Sequence, residues 1–317
     1  MKTKYFLACF SIIVLLTGCF PNLPQPATNE PSPSAEITEV PVSVEITETQ
    51  TSPSPTTHSL TFEMLKNIEY VLGDGSTKVL LVDGAYEKTI GVETVRASLL
   101  DKIVYADLDG DGSEDAVVIL VENHGGTGQF EYLVPVLNRN DIPLPQQGYY
   151  LGDRVAVNTM VFDNNRVVLD MRVHGPNDGL CCPSMASSRS FEYYPGFGFR
   201  LVHLTTGVEG SSYRDITLSE PVPGSTISKQ FQVAGSFTIS PFEATLVVRV
   251  MDVNDQVVYQ GSIMAPVDNL GDPGTFTGTV DMSSSNPQPG LVRIEVYETS
   301  MADGTTLVMD SVLVILE

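Results

Sequence analysis

The alternation of apolar and polar residues along the chain predicts a protein built mostly from β-strands. Short runs rich in Val, Ile, Thr, Tyr and Phe are separated by clusters of Gly, Pro, Asn and Asp, as in strands joined by turns. In the first half of the chain the candidate strands are Val79–Val82, Lys102–Ala106, Ala116–Glu122, Phe130–Leu137, Arg154–Phe162, Val167–Val173 and Ser190–Tyr194. The clearest helical pattern is Leu60–Leu72, where apolar residues recur near one helical face. Residues 59–204 are therefore predicted to form an α+β domain with a mainly antiparallel sheet.

The C-terminal region, residues 216–317, has a different pattern of shorter strands. Seven alternating runs are spaced by turn sequences such as Pro-Gly, Asn-Asp and Asp-Gly. This density of strands is typical of a β-sandwich of immunoglobulin type. The polar, glycine-containing segment 205–215 is predicted to be a linker. The predicted fold class is thus mainly β, with an N-terminal α+β domain and a C-terminal immunoglobulin-like β-sandwich.

The N-terminus resembles a bacterial lipoprotein signal peptide. Lys2 and Lys4 precede the apolar stretch Tyr5–Leu16, and small residues lead to Cys19 in the lipobox sequence Leu-Thr-Gly-Cys. The apolar stretch is shorter than the roughly 20 residues that a spanning helix requires, which disfavours a transmembrane anchor. The resemblance implies that residues 1–18 are removed and that Cys19 carries lipid, which anchors the protein to the cell membrane on its extracytoplasmic side.

The segment that follows the lipobox has the composition of a disordered tether. Residues 19–58 begin at Cys19 and are rich in Pro, Thr, Ser and Glu with scattered aliphatic residues. Such a composition buries too little apolar surface to compensate for the entropy of an ordered backbone. We expect this segment to hold the folded domains away from the membrane.

The charge of the chain narrows the range of partners. Seventeen basic and 39 acidic side chains give a formal net charge of -22. This charge repels nucleic acid and anionic lipid headgroups, so neither is an expected partner. It favours divalent cations instead.

An aspartate-rich turn between two predicted strands is the strongest local chemical signal. The candidate ligands are Asp107, Asp109, Asp111, Ser113 and Asp115. The carboxylates occupy positions 1, 3, 5 and 9 of a calcium-type loop, and glycine at position 6 permits the sharp turn. Strand-like flanks and Val118 at position 12 distinguish it from an EF-hand, and it resembles the loops of FG-GAP-type repeats. We expect a structural calcium ion here; the alternative is an acidic hairpin without an ion.

Two adjacent cysteines form a second candidate site. Cys181 and Cys182 lie in a loop dense in turn-forming residues, with His174 at its start. Neighbouring Cα atoms lie about 3.8 Å apart, which is closer than in most disulfides, but an extracytoplasmic location favours oxidation. Three hypotheses for this pair stay open: a vicinal disulfide, unpaired thiols, or a zinc or copper(I) site completed by His174 and His124.

The chain contains no local signature of an enzyme. The motifs Gly-x-Ser-x-Gly, Ser-x-x-Lys and His-Glu-x-x-His are absent. The glycine-rich run Asn123–Gly128 lacks the Lys-Ser/Thr of a phosphate-binding loop and is predicted to be a hairpin connection. His124 and His174 are the plausible bases for a dispersed site. We expect a protein that is not an enzyme.

The C-terminal region resembles the bacterial spore-germination immunoglobulin-like domain. The resemblance rests on an ordered series of motifs: Pro-Gly within Pro221–Ile227, then Phe242–Ala244, then Glu-x-Ser-x-x-Asp-Gly at Glu298–Gly304. It covers nearly all of residues 216–317 and implies an extracytoplasmic sandwich. It implies no reaction and no catalytic residues.

These features predict a lipid-anchored, extracytoplasmic binding or structural lipoprotein of the cell envelope. The expected partners are an envelope protein, peptidoglycan or another polysaccharide, or a second copy of the chain. The alternative is a metal-handling or redox lipoprotein that uses Cys181, Cys182 and His174.

Overall fold

The computed structural model describes residues 59–208, 212–285 and 287–317. The predicted signal peptide, Cys19 and the tether to residue 58 lie outside the described residues. The described residues fall within one compact unit, Pro55–Glu317. No helix in these described ranges is long and apolar enough to cross a membrane.

Before the sandwich, the described residues form one short helix and thirteen strands. The helix α1 is Phe62–Leu65. The strands are β1 Glu69–Val71, β2 Lys78–Leu80, β3 Ala85–Ile90, β4 Glu93–Ala106, β5 Asp115–His124, β6 Phe130–Arg139, β7 Ile142–Pro145, β8 Tyr149–Asp153, β9 Ala156–Asp163, β10 Arg166–Val173, β11 Met185–Tyr194, β12 Gly198–Gly207 and β13 Tyr213–Arg214.

The C-terminal region contains eight strands and a 3₁₀ turn at Phe242–Ala244. The strands are β14 Ile216–Glu220, β15 Thr226–Ile227, β16 Gln230–Phe237, β17 Thr245–Asp252, β18 Val257–Met264, β19 Gly274–Asp281, β20 Gly290–Thr299 and β21 Thr306–Leu316.

The N-terminal domain has three layers around a central antiparallel sheet. This sheet has the order β3-β4-β5-β6-β7, and β8 also pairs with β6. Its strand β5 is buried on both faces, with Val117 and Ile119 in one core and Val118 and Leu120 in another. Helix α1 and the β1–β2 hairpin cover the second face, and β9–β12 cover the first. A strand covered on both faces reads as a continuous apolar run, as β5 does.

The helix predicted over Leu60–Leu72 is only four residues long, which corrects that prediction. Thr61 caps α1 by accepting a hydrogen bond from the Met64 N–H, but the chain leaves the helix after Lys66. The Asn67 side chain then accepts the Asp83 N–H at 3.0 Å and ties this point to another turn. Tyr70 pairs with Val79 in an antiparallel hairpin, so tertiary pairing overrides the helical pattern. Leu65 and Leu72 are buried in this arrangement too, and Ile68 packs partly buried against the same core.

The turn predicted at Asn164 and Asn165 joins β9 to β10. Both residues have positive φ, 48° and 63°. Two consecutive left-handed residues are what a two-residue hairpin turn requires, and Asn tolerates that conformation well. The hairpin brings the predicted strands of this region into register, from Asp163 opposite Arg166 onward.

The C-terminal region is a two-layer β-sandwich of immunoglobulin type, as predicted. The three-stranded sheet β14-β16-β19 packs against β18, β17, β20 and β21. The core lacks tryptophan and is filled by β-branched and aromatic side chains, among them Phe231, Val233, Phe276, Ile294 and Val314. Close packing of these side chains supplies the stabilisation that a disulfide and a tryptophan give antibody domains.

One sheet runs through both domains. Strand β12 of the N-terminal domain pairs with β21 of the sandwich, with His203 opposite Asp310, to give the order β18-β17-β20-β21-β12-β11-β10-β9. The Thr206 hydroxyl also donates to the Leu307 carbonyl across this seam, at 2.7 Å. Part of the segment 205–215 expected to be a linker is strand as well, because Thr205 and Thr206 continue the pairing of β12 with β11, and Thr206 and Gly207 pair with β13.

Candidate functional sites

The aspartate-rich turn joins β4 to β5 and is ordered by its own carboxylates. Asp107 accepts the N–H groups of Gly110 at 2.8 Å and Gly112 at 3.0 Å. Both glycines have positive φ, 76° and 87°. Glycine is favoured at these two positions because a side chain there would strain the backbone.

Three of the five predicted ligands converge. One carboxylate oxygen from each of Asp107, Asp109 and Asp115 lies within 4.8 Å of the other two. This is the only group of three or more His, Cys, Asp or Glu side chains with such spacing in the described part of the chain. Oxygen ligands gathered in this way suit a hard divalent cation such as calcium.

Asp115 forms the buried floor of the cluster. Its side chain is fully buried and accepts the Leu108 N–H at 2.9 Å and the Asn138 N–H at 2.7 Å. Burial raises the pKa of Asp115, the two hydrogen bonds oppose that rise, and the charges of Asp109 and Asp111 add to it. A cation bound here would stabilise the charged form of a carboxylate that burial disfavours.

Asp111 and Ser113 do not belong to the convergent group of Asp107, Asp109 and Asp115. Asp111 accepts the Ser113 N–H at 2.8 Å, and this hydrogen bond lowers the pKa of Asp111. Its other oxygen pairs with Arg139 Nη1 at 2.7 Å, while Arg139 Nη2 pairs with Asp109. Arg139 is thus a protein cation that partly neutralises the cluster. No local sequence signal identifies it, because it reaches the turn from the end of β6.

The cysteine loop is organised by an aspartate. Cys181 and Cys182 are joined as a disulfide between neighbours, with Cα atoms 3.8 Å apart, and both residues are exposed. Asp178 accepts the N–H groups of Gly175 and Ser184 and the Ser184 hydroxyl, each at 2.7 Å. These hydrogen bonds lower the pKa of Asp178. The loop is therefore held by Asp178 as well as by the disulfide.

His174 does not gather with the cysteines into a metal site in the described residues. The three side chains are not among the groups whose donor atoms could share one ion. Both ring nitrogens of His174 are enclosed, and no described residue hydrogen-bonds them. Sulfurs bonded to each other also offer no thiolate to a soft metal.

His124 lies at the end of β5 beside a buried carboxylate. Its Nε2 is 3.3 Å from Glu122 Oε2, and Glu122 also accepts the Gly73 N–H at 2.7 Å. Burial raises the pKa of Glu122. The run Asn123–Gly128 forms the β5–β6 connection, closed by the Asn123 side chain, which donates to the carbonyls of Gly126 and Gly128.

Glu131 is a buried acid that the sequence analysis did not single out. It is 6% exposed, and its Oε2 has no hydrogen-bond partner among the described residues. Burial raises its pKa to about 7. The alternation of β6 places it on the same face as the core residues Leu133 and Leu137, so a strand register was needed to find it.

Two concave surfaces lie where the domains meet. A pocket of about 140 Å³ lies between the β11–β12 hairpin and the sandwich. On its wall Asp255 pairs with Arg200 at 2.5 Å and with Arg293 at 3.2 Å. A wider cleft of about 800 Å³ is lined by the cysteine loop around Asp178 and by Arg214 on β13. Sequence analysis missed both, since each is assembled from distant segments.

Comparison with known proteins identifies the C-terminal domain. Residues 215–305 match the model of the immunoglobulin-like domain of bacterial spore germination, which confirms the resemblance stated for this region. The match covers the sandwich and leaves the N-terminal domain unassigned. No curated protein matches the chain.

Among solved structures, the chain is similar to the extracellular domain of the one-component system BT4673 from B. thetaiotaomicron. The sequences are 8% identical, and the match covers 79% of this chain and 46% of that one, less than half its length. The TM-score is 0.20, so this similarity supports no argument about fold or function.

Proposed function

We propose that the protein is a lipid-anchored, extracytoplasmic binding protein of the cell envelope. The match of residues 215–305 to an immunoglobulin-like family is the observation that carries this proposal. Sandwiches of this type present loops on a stable frame and serve more often for recognition than for catalysis. The lipobox at Cys19 supplies the anchor and the membrane face.

The join between the domains supports a role in presenting a surface. The β12–β21 ladder and the pairing of Arg200 with Asp255 connect the N-terminal domain to the sandwich. A rigid join keeps loops of both domains in one arrangement, which lowers the entropy lost when a partner binds. The partners proposed are an envelope protein, a polysaccharide such as peptidoglycan, or a second copy of the chain.

We propose calcium as a structural ion of the aspartate-rich turn. Asp107, Asp109 and Asp115 would be its carboxylate ligands, and the ion would relieve their mutual repulsion. A site with few protein ligands should bind weakly, on the order of 10⁻⁴–10⁻³ M, as in other extracellular modules. Calcium bound at that affinity would order the turn and would take no part in binding a partner.

The proposal includes no catalysis. His174 is unsuited to act as a base because its ring nitrogens are enclosed. His124 is exposed and lies against Glu122, but no described serine or cysteine forms a hydrogen bond with it. A nucleophile within hydrogen-bond reach of its base is the usual mark of covalent catalysis.

Membrane fractionation with metabolic lipid labelling tests the anchor. The full-length chain should label with palmitate and sediment with membranes, and Cys19→Ser should lose both properties. Protease added to intact spheroplasts should degrade the membrane-bound protein. A Cys19→Ser protein that stays in the membrane, or a wild-type protein protected from protease, would contradict the proposal.

The exposed disulfide favours a redox role as a second candidate. Cys181 and Cys182 are exposed, so a thiol-containing reductant in the cell envelope could reach their disulfide. Intact mass after alkylation decides the matter: the purified native chain should take up no alkyl group at this pair until a dithiol reductant is added. Uptake of two alkyl groups without reductant would show that both thiols are free, and a soft-metal site at Cys181, Cys182 and His174 would again be a candidate.

A further inference from the structure

Four aromatic side chains form a continuous row on the central sheet of the N-terminal domain. The row runs from His124 on β5 through Phe130 on β6 and Tyr150 on β8 to Tyr132 on β6. The successive ring centroids are 6.0, 6.5 and 5.3 Å apart, and neighbouring planes are tilted by 43–48°. We call these four residues the aromatic row.

The aromatic row continues beyond the cover that α1 and the β1–β2 hairpin give to this face. At one end the turn of that hairpin meets Tyr132, where a side chain at Gly73 would collide with the phenol. Beyond Tyr132 the row reaches solvent, and Tyr150, the ring next to Tyr132, is 48% exposed. The His124 side chain is 47% exposed. Contiguous exposed apolar surface rimmed by polar groups commonly marks a binding site.

The surroundings of the aromatic row are acidic. Burial raises the pKa of Tyr132, and the negative charges of Glu122 and Asp74 add to the rise. Burial raises the pKa of Tyr150 too, and the negative charge of Asp153 adds to that rise, although Asp153 also pairs with Arg154. Because the chain as a whole carries a net charge of -22, a polyanion is repelled here and a neutral or cationic ligand is favoured.

The arrangement of the rings points to a ligand made of repeated flat units. A single ammonium group is bound best over one ring face or within a cage of rings, whereas these rings lie in a row. The C–H groups on one face of a pyranose carry partial positive charge and suit the negative face of an aromatic ring. The sugar hydroxyls would remain at the edge, within reach of polar groups such as the Tyr150 hydroxyl.

We propose that the aromatic row binds an oligosaccharide of uncharged or amine-bearing pyranose units. This inference rests on the proposed envelope-binding function and names the chemistry of its partner. Rings side by side would stack on successive sugar units, and Glu122, Asp74 and Asp153 would select against glycans that carry carboxylates or phosphates. The site is separate from the aspartate-rich turn and from the interdomain cleft.

Calorimetric titration of the mature chain tests the proposal. The probes are a glucosamine hexamer, an N-acetylglucosamine hexamer and oligogalacturonate. We expect the first two to bind and oligogalacturonate not to bind, with salt weakening the glucosamine hexamer alone. Tyr150→Ala should lower the affinity about threefold to tenfold, since aromatic contacts are worth about 0.5–1.5 kcal/mol.

Matched variants keep the test decisive. Tyr213→Ala is the control, because Tyr213 is 47% exposed and lies outside the aromatic row. Its affinity should equal that of the unmodified chain. His124→Ala serves as the second variant if Tyr150→Ala melts early. Binding of oligogalacturonate alone, no binding of any probe, or equal losses for Tyr150→Ala and Tyr213→Ala would overturn the proposal. Palmitate labelling is measured separately, so such a failure would leave the membrane anchor standing.

Discussion

His203 Nε2 lies 3.0 Å from Asp215 Oδ1 at the point where the N-terminal domain passes into the sandwich. His203 also faces Asp310, its partner across the β12–β21 ladder, and Arg166 acts on Asp310 from β10. The hydrogen bond to Asp215 raises the pKa of His203, burial opposes the rise, and the charge of Asp310 adds to it. The join between the domains therefore contains a histidine whose protonated form is favoured by folding.

The stability that His203 gives to the junction of β12 and β21 should fall as the pH rises. A histidine whose pKa is raised by folding contributes stability that is complete below its unfolded pKa, about 6.5, and is lost above the folded pKa. Burial raises the pKa of Asp310, which acts in the same direction at lower pH. We expect the melting temperature to fall between pH 6.5 and 8.5, and to fall less in His203→Gln.

Melting curves across that pH range give the measurement, with His174→Gln as a control for loss of a histidine away from the seam. Equal pH dependence in His203→Gln and the unmodified chain would show that the pair contributes nothing.

Calcium should raise the free energy of unfolding through Asp107, Asp109 and Asp115. At a concentration 10- to 100-fold above the dissociation constant, linkage predicts a gain of about 1–3 kcal/mol. Thermal unfolding of the chain, stripped of metal and then titrated with calcium, measures it. Asp109→Asn should abolish the rise. Asp111→Asn should keep it, because Asp111 lies outside the convergent group.

A melting temperature that calcium leaves unchanged in the unmodified chain would reject the calcium site and favour the acidic hairpin. A rise that Asp109→Asn and Asp111→Asn abolish equally would show that the ligand set includes Asp111.

Arg139 should contribute most to the stability of the folded chain when calcium is absent. Its guanidinium pairs with Asp109 and Asp111, so Arg139→Gln leaves their repulsion unopposed. We expect Arg139→Gln to melt lower than the unmodified chain in chelator and to gain more from calcium. Arg96→Gln is the matched control, since Arg96 forms an exposed pair with Glu87 and should have a small, calcium-independent effect. An equal calcium response in the two variants would contradict this view of the cluster.

Replacing Glu131 by glutamine should stabilise the protein above neutral pH. Folding raises the pKa of Glu131 to about 7, so the folded chain holds a proton that the unfolded chain releases above about pH 4.5. Stability should therefore fall as the pH rises from about 4.5 to 7. Glu131→Gln removes that loss and should gain about 1–3 kcal/mol at pH 8.

Denaturant unfolding at pH 5 and pH 8 measures the difference between the two chains. Glu87→Gln is the contrast, because Glu87 is exposed and pairs with Arg96, so its replacement should have only a small effect at either pH. A Glu131→Gln chain no more stable at pH 8 than the unmodified one would show that its carboxylate is stabilised in the folded state.

The strands could be predicted from the sequence where pairing and pattern agree. The strand Asp115–His124 is apolar from Ala116 to Val121, and the sequence predicts it over Ala116–Glu122. Leu60–Leu72 shows the limit, because its apolar residues satisfy a helix and a hairpin equally well and the pairing of Tyr70 with Val79 decides. Arg139 and the aromatic row could not be predicted for a similar reason: they depend on which strands lie side by side.

The cysteine loop should depend more on Asp178 than on its disulfide. A bridge between adjacent residues encloses almost no chain, so it removes little entropy from the unfolded state, about 1 kcal/mol or less. Asp178 accepts three hydrogen bonds from Gly175 and Ser184. We therefore expect Asp178→Ala to speed amide exchange in the loop strongly, and a Cys181→Ser, Cys182→Ser chain to speed it only slightly. Hydrogen exchange of the loop amides measures both. If the cysteine variant exchanges faster than Asp178→Ala, the disulfide holds the loop.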